Sequence, residues 1–174
     1  AAHRAEGQPI EQPLLAALAR HGYTDDDDRC VIQCFDLESI EFMRHDLGTQ
    51  LPLAYLIGEA VNTETLERAA KVCTALGPKH TLLVEHRGER VIQLPLLEQA
   101  RGLGFAIYPW TLDDNAGQTS DVYRAGVDGL FTNYPDLGRA ARVAATAVDN
   151  ADQQIRFDAI DRERPRSVPT TSRP

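Results

Sequence analysis

The sequence predicts an α/β fold built on parallel strands, and three observations lead there. Short, nearly continuous apolar runs rich in branched residues recur along the chain, as strands buried on both faces require. Most of these runs are followed by a segment with apolar residues at helical spacing, the alternation that right-handed crossovers produce in a parallel sheet or barrel. The length of 174 residues suits one domain but falls short of the roughly 250 residues of a complete eight-stranded β/α barrel.

The elements follow in order. Residues 10–21 carry Leu14, Leu15 and Leu18 with small alanines between them, a helix closed by Gly22. The acidic run at 24–28 reads as a solvated turn, because adjacent carboxylates cannot aim at one ion and the Gly and Glu of a calcium loop are missing. Residues 30–35 form a first strand. Asp36 then caps a helix reaching His45, with Glu38 near the positive end of its dipole. Residues 51–58 form a second buried strand. A helix starts at Thr63 or Thr65 and runs over 66–76, with Ala69, Ala70, Val72 and Cys73 inward and Gly77-Pro78 ending it. Residues 81–85 and 90–93 flank His86-Arg87-Gly88-Glu89 as a hairpin, Gly88 supplying a positive φ. Residues 94–103 are helical, 105–111 a strand, 119–125 a short helix, 127–133 the last strand, and 137–148 a final helix. From Asn150 periodicity is lost in favour of Asp, Arg, Pro, Ser and Thr, so a domain over 1–149 is expected to precede a disordered tail over 150–174.

Composition narrows the functions. With 18 basic and 26 acidic residues the formal charge is −8, and the basic residues are scattered, so the chain is not expected to bind nucleic acid. No apolar run approaches the ~20 residues of a membrane span. The start has neither an initiator Met nor an apolar signal core, and the chain reads as a piece of something longer. Cys30, Cys34 and Cys73 form neither a CxxC pair nor an even disulfide set, and read as small buried hydrophobes.

Four segments together resemble the glycerophosphodiester phosphodiesterase family: Val31-Ile32-Gln33-Cys34-Phe35-Asp36, Ala75-Leu76-Gly77-Pro78, Tyr108-Pro109-Trp110-Thr111, and the run from Gly126 to Asp136 containing Asp128-Gly129-Leu130-Phe131-Thr132-Asn133. Their order and spacing are similar to the family's C-terminal half. His3-Arg4-Ala5-Glu6-Gly7 and the helix to Gly22-Tyr23 resemble the stretch after the metal-binding strand in the family's periplasmic type. The resemblance implies a partial TIM (β/α)8 barrel of about five C-terminal β/α units, with catalytic groups at the C-terminal ends of strands. It implies hydrolysis of a glycerophosphodiester, a small-molecule substrate, to glycerol 3-phosphate and an alcohol. Two histidines act there as base and acid beside a divalent cation, calcium or magnesium. Those groups belong to the family's first strands, so this chain alone is expected to hold no catalytic residue, bind no metal and be inactive.

What the resemblance leaves here is pocket wall. Gln33, Phe35 and Trp110 are the expected substrate-binding residues, with Trp110 packing on a glycerol or alcohol moiety and Gln33 bonding a substrate oxygen. Tyr108 stands where the periplasmic type often has His, Asp113 where members have Arg or Asn, and Asn133 where Asp is usual. An acidic Asp113 near a phosphate would be repulsive without a cation. His86-Arg87-Gly88 repeats the family's catalytic tripeptide but lacks the downstream Pro-Glu-Asn, and reads as a turn; His21, His45 and His80 have no partner at ligand spacing.

Two other readings compete. One is a non-catalytic barrel-derived module that self-associates through an exposed barrel edge; the other is a different phosphate-binding barrel enzyme. The expected location is periplasmic or extracellular, with the cytoplasm as the alternative.

Overall fold

In the computed structural model the described residues are 6–26, 29–87, 90–113 and 116–147. His3 to Ala5, Asp27-Asp28, Gly88-Glu89 and the tail over 150–174 lie outside them.

Helix α1 (Glu11–Arg20) stops where Gly22 adopts φ +85°, a left-handed conformation that glycine takes without strain. Its first residue, Glu11, is buried and accepts a hydrogen bond from the Ser39 hydroxyl, which ties α1 to α2 (Leu37–His45). Between them runs β1 (Ile32–Cys34). Asp36 caps α2 as its residue type and position predict, accepting from the backbone N–H groups of Glu38 at 3.0 Å and Ser39 at 3.3 Å. Strand β2 (Leu53–Ile57) is buried throughout. Asn62 caps α3 (Thr63–Ala70), and β3 (Ala75–Pro78) follows. A short 3-10 turn (His80–Leu82) leads into the antiparallel pair β4 (Val84–Arg87) and β5 (Arg90–Gln93). Then come α4 (Pro95–Gly102), β6 (Ala106–Ile107), α5 (Ala116–Arg124) and α6, residues 135–147.

Strands β1, β2, β3 and β6 form one parallel sheet in that order, with Gln33 opposite Ala54, Leu56 opposite Gly77, and Leu76 opposite Ile107. One face is covered by helices. Ile32, Leu53, Tyr55, Ile57, Leu76 and Ile107 share a single core with Ile40 of α2, Leu66 of α3, Leu97 of α4 and Val122 of α5. The sheet is open, and no barrel closes among the described residues.

Four expectations are corrected. Residues 75–78 are a central strand, not the end of a helix. Helix α3 stops at Ala70, and the carbonyl of Ala69 accepts from the N–H groups of both Val72 and Cys73 as the chain turns. Gly77 fits the strand because a Cβ there would run into the Leu56 side chain. Residues 81–85 do not extend the sheet: of them only Val84 and Glu85 are in strand, and they belong to an antiparallel pair with 90–93 in which His86 and Arg87, expected as turn, are paired strand residues as well. Residues 127–133 run beside β6 without regular strand structure. The Asp128 carboxylate takes the place of a backbone acceptor for the Ile107 N–H at 2.8 Å, while Asp128 and Phe131 donate to the carbonyls of Ile107 and Pro109. Finally, β1 is an edge strand with one open face, and the residues flanking it, Val31 and Phe35, are 52% and 59% exposed. The parallel sheet therefore has four strands among the described residues where about five β/α units were expected.

Candidate functional site

In an open parallel sheet ligands bind beyond the carboxyl ends of the strands. Side chains alternate between faces, so those not turned to the helices line the other face. Along β1 these are Gln33 with the flanking Val31 and Phe35; on β2, Ala54 and Leu56; on β3, Ala75 and Gly77. A cavity of about 340 Å³ opens on this face, lined by Val31, Gln33, Ala54, Tyr108 and Phe131. Tyr108 lies against Gly129, where a Cβ would sit 3.0 Å from its ring.

Trp110 stands beyond the last residues of β6 and is fixed from several sides. Its backbone N–H donates to Pro78 at 3.0 Å, its carbonyl accepts from the His80 N–H at 2.9 Å, and its indole N–H donates to the Gly77 carbonyl at 2.7 Å. The far edge of the indole reaches Gly58, whose position would place a Cβ 3.7 Å from it. Phe35 meets the indole edge to face, with centroids 5.4 Å apart and planes at 85°, a favoured aromatic geometry. One side chain thus spans the C-terminal ends of all four strands. Of the residues the sequence singles out, Phe35 and Trp110 are brought together, and Gln33 lies below Phe35 on the same face, in the cavity wall.

The departures at 113 and 133 turn out to be partners. Asp113 accepts from the Asn133 backbone N–H at 2.8 Å and from its side-chain amide at 2.9 Å. Its carboxylate is occupied in holding the end of the 127–133 segment.

Among the described histidines His80 contacts Trp110, while His21, His45 and His86 stand apart from this face's residues. His86 lies in β4, its Nε2 3.2 Å from an Asp121 carboxylate oxygen that shares its group with Arg124. His21 and His45 sit at exposed helix ends, and the His80 ring lies 3.4 Å from the Trp110 carbonyl. Among the described residues no three His, Cys, Asp or Glu side chains gather as a metal site. The described donors do not fit a divalent cation. Cys73 is buried, which pushes its thiol up to about 12 and leaves it unreactive.

Sequence reasoning missed Tyr108 and Phe131 as lining residues. The period-two pattern from Ala106 to Trp110 already put Tyr108 on the Trp110 face; Phe131, in an irregular segment, gave no such signal.

Residues 2–137 match the Glycerophosphoryl diester phosphodiesterase family. The chain belongs to that family. Glycerophosphodiester phosphodiesterase of Haemophilus influenzae is 22% identical over 175 residues, covering 78% of this chain and 48% of the relative. Among solved structures, a phosphodiesterase of Oleispira antarctica in complex with the product sn-glycerol-3-phosphate superposes with a TM-score of 0.58 at 16% identity, over 76% of this chain and 50% of that one. A glycerophosphodiester phosphodiesterase of Parabacteroides distasonis gives 0.56 at 18% identity, over 78% and 51%. The chain spans about half the length of these relatives. Glycerophosphodiester phosphodiesterases have a TIM-barrel-type fold and are generally dependent on a divalent metal. In this chain no helix among the described residues is long and apolar enough to cross a membrane.

Proposed function

We propose that these residues form the substrate-binding wall of a glycerophosphodiester phosphodiesterase, contributing C-terminal β/α units of its barrel over 1–149, with the tail at 150–174 outside it. The reaction is hydrolysis of a glycerophosphodiester to glycerol 3-phosphate and an alcohol. The observation that carries this reading is the Phe35–Trp110 pair seated over the strand ends in a chain of this family. Trp110, locked by its bond to Gly77, presents a rigid apolar surface to the carbon skeleton of the substrate. Gln33 offers an amide to a substrate oxygen from the cavity wall. Phe35 shields that contact from water. The histidine pair and the ligands for calcium or magnesium lie, in this reading, on polypeptide beyond these 174 residues, consistent with the half-length match to the relatives. The working enzyme is periplasmic or extracellular.

Incubating the chain with glycerophosphocholine and either cation, while following glycerol 3-phosphate release, tests the division of labour. The expected result is no release, together with binding of sn-glycerol 3-phosphate seen in the fluorescence of Trp110, the chain's single tryptophan. Turnover by this chain alone overturns the division; absence of binding overturns the wall.

The edge position of β1, with Val31 and Phe35 exposed beside it, favours a second reading, a module that associates through that edge. It requires concentration-dependent association in sedimentation, and monodisperse monomers count against it.

A further inference from the structure

Phosphate recognition is favoured by a positive charge. Four of the described arginines are engaged away from the face that carries the cavity. Arg44 donates to the carbonyls of Val72 and Leu51, in the segments leading into β3 and β2, and Arg101 donates to Gly126, ahead of the 127–133 segment. Both sit at the opposite end of the sheet from Trp110. Arg68 is paired with Glu41 and Arg124 with Asp121.

Lys79 differs from all of these. It follows β3 directly, donates its backbone N–H to the Ile57 carbonyl at 2.8 Å, and bridges in parallel register to Trp110. Alternation from Gly77, whose Cβ position faces Leu56, puts the Lys79 Cβ on the same face as the indole. The residue is exposed, and among the described residues no carboxylate pairs with its ammonium. Of the described residues immediately beyond the C-terminal ends of the four parallel strands, it is the lysine or arginine. The acids near these ends are Asp36, which caps α2, Asp113, held by Asn133, and Glu59, exposed two residues after β2.

We infer that Lys79 binds the phosphate group of the substrate, beside the Trp110 platform. This rests on the substrate-wall reading above and names a residue of that same site. The ligand chemistry is a phosphate ester of glycerol: the ammonium meets the anionic oxygens while the indole meets the carbon chain. A flexible lysine with three donors suits a group presenting several equivalent oxygens.

Titrating the 174-residue chain with sn-glycerol 3-phosphate, read by Trp110 fluorescence, provides the test. Lys79→Met is expected to weaken binding by about 10- to 100-fold, the range for loss of one charged hydrogen bond. Lys79→Arg is expected to keep most of the affinity, and added salt to weaken the wild type more than Lys79→Met. Since Lys79 is exposed, unchanged thermal unfolding should accompany the loss. If Lys79→Met binds as the wild type does while Phe35→Ala, which keeps the Trp110 fluorophore, binds weakly, the site stands and the assignment of Lys79 falls. If the wild type does not bind at all, both the assignment and the substrate-wall reading fall.

Discussion

The two faces of the parallel sheet are built from alternate residues of the same strands, yet they do different work. Toward the helices, Ile32, Leu53, Leu76 and Ile107 are closed into the core. Toward the other side, Val31, Gln33 and Phe35 are open, Gly77 leaves room for its neighbour, and Trp110 lies across the strand ends. One face supplies stability and the other supplies a surface that a ligand can reach. Neighbouring positions such as Ile32 and Gln33 should therefore fail in different assays when mutated.

The largest contrast is between Leu53 and Phe35. Leu53 is 0% exposed, and Leu53→Ala should lower unfolding free energy by about 2–5 kcal/mol. Phe35→Ala should cost far less stability, seen as a small shift in the urea midpoint, and weaken glycerol 3-phosphate binding. Equal destabilisation by the two would erase the distinction between faces.

Trp110 joins the faces' two roles, since its indole N–H is bonded to the Gly77 carbonyl. Trp110→Phe keeps an aromatic ring but loses that bond, so about 0.5–1.5 kcal/mol of stability should go with it. Calorimetric titration of glycerol 3-phosphate should show a larger proportional loss in affinity than Phe35→Ala produces.

Cys73 sharpens the picture of the closed face through pH. Burial raises its thiol from an ordinary value of 9.0 to about 12. A raised pKa means that the folded state holds the proton longer than the unfolded state. Its stabilising contribution is thus complete below about pH 9 and is lost as pH climbs toward 12. Burial raises Tyr55 and Tyr123 as well, adding to the same decline above pH 10. Urea midpoints measured across this alkaline range should fall with pH, and the fall should be shallower in Cys73→Ala. The half-buried Cys30 and Cys34 should react with thiol reagents in the native protein well before Cys73 does.

The smallest effect is expected on the solvent side of the helices. Glu41 holds Arg68 in a two-pronged pair at the surface, where solvent screens the charges. Glu41→Gln should leave the thermal midpoint nearly unchanged.

Much of this arrangement was legible in the sequence. The run of Leu53 to Ile57 announced a buried strand, Asp36 its helix cap, and Phe105 onward a strand whose alternate residues include Trp110. What misled was a segment obeying two patterns at once. Ala69, Val72, Cys73 and Leu76 keep helical spacing, and Gly77-Pro78 has the look of a terminator, yet the chain turns after Ala70 and Ala75–Pro78 crosses the sheet. The same helical spacing conceals Lys79, whose position at a strand end depends on Ala75–Pro78 being a strand. The segment over 127–133 looked like a strand by composition, but Asp128 uses its side chain where a strand would use its backbone. At the site, Phe35 and Trp110 were identifiable as residues, while their contact across the sheet depends on registers that no local pattern encodes.

The central claim is that the open face at the C-terminal strand ends takes a glycerol phosphate ester. It is tested most directly by titrating sn-glycerol 3-phosphate into isotopically labelled protein and mapping the amide and side-chain shifts. The expected result is a saturable change centred on Gln33, Phe35, Lys79 and the Trp110 indole N–H, with the helix-facing core unmoved. Shifts centred on the β4–β5 hairpin or the helices, or no saturable shift at all, would contradict it.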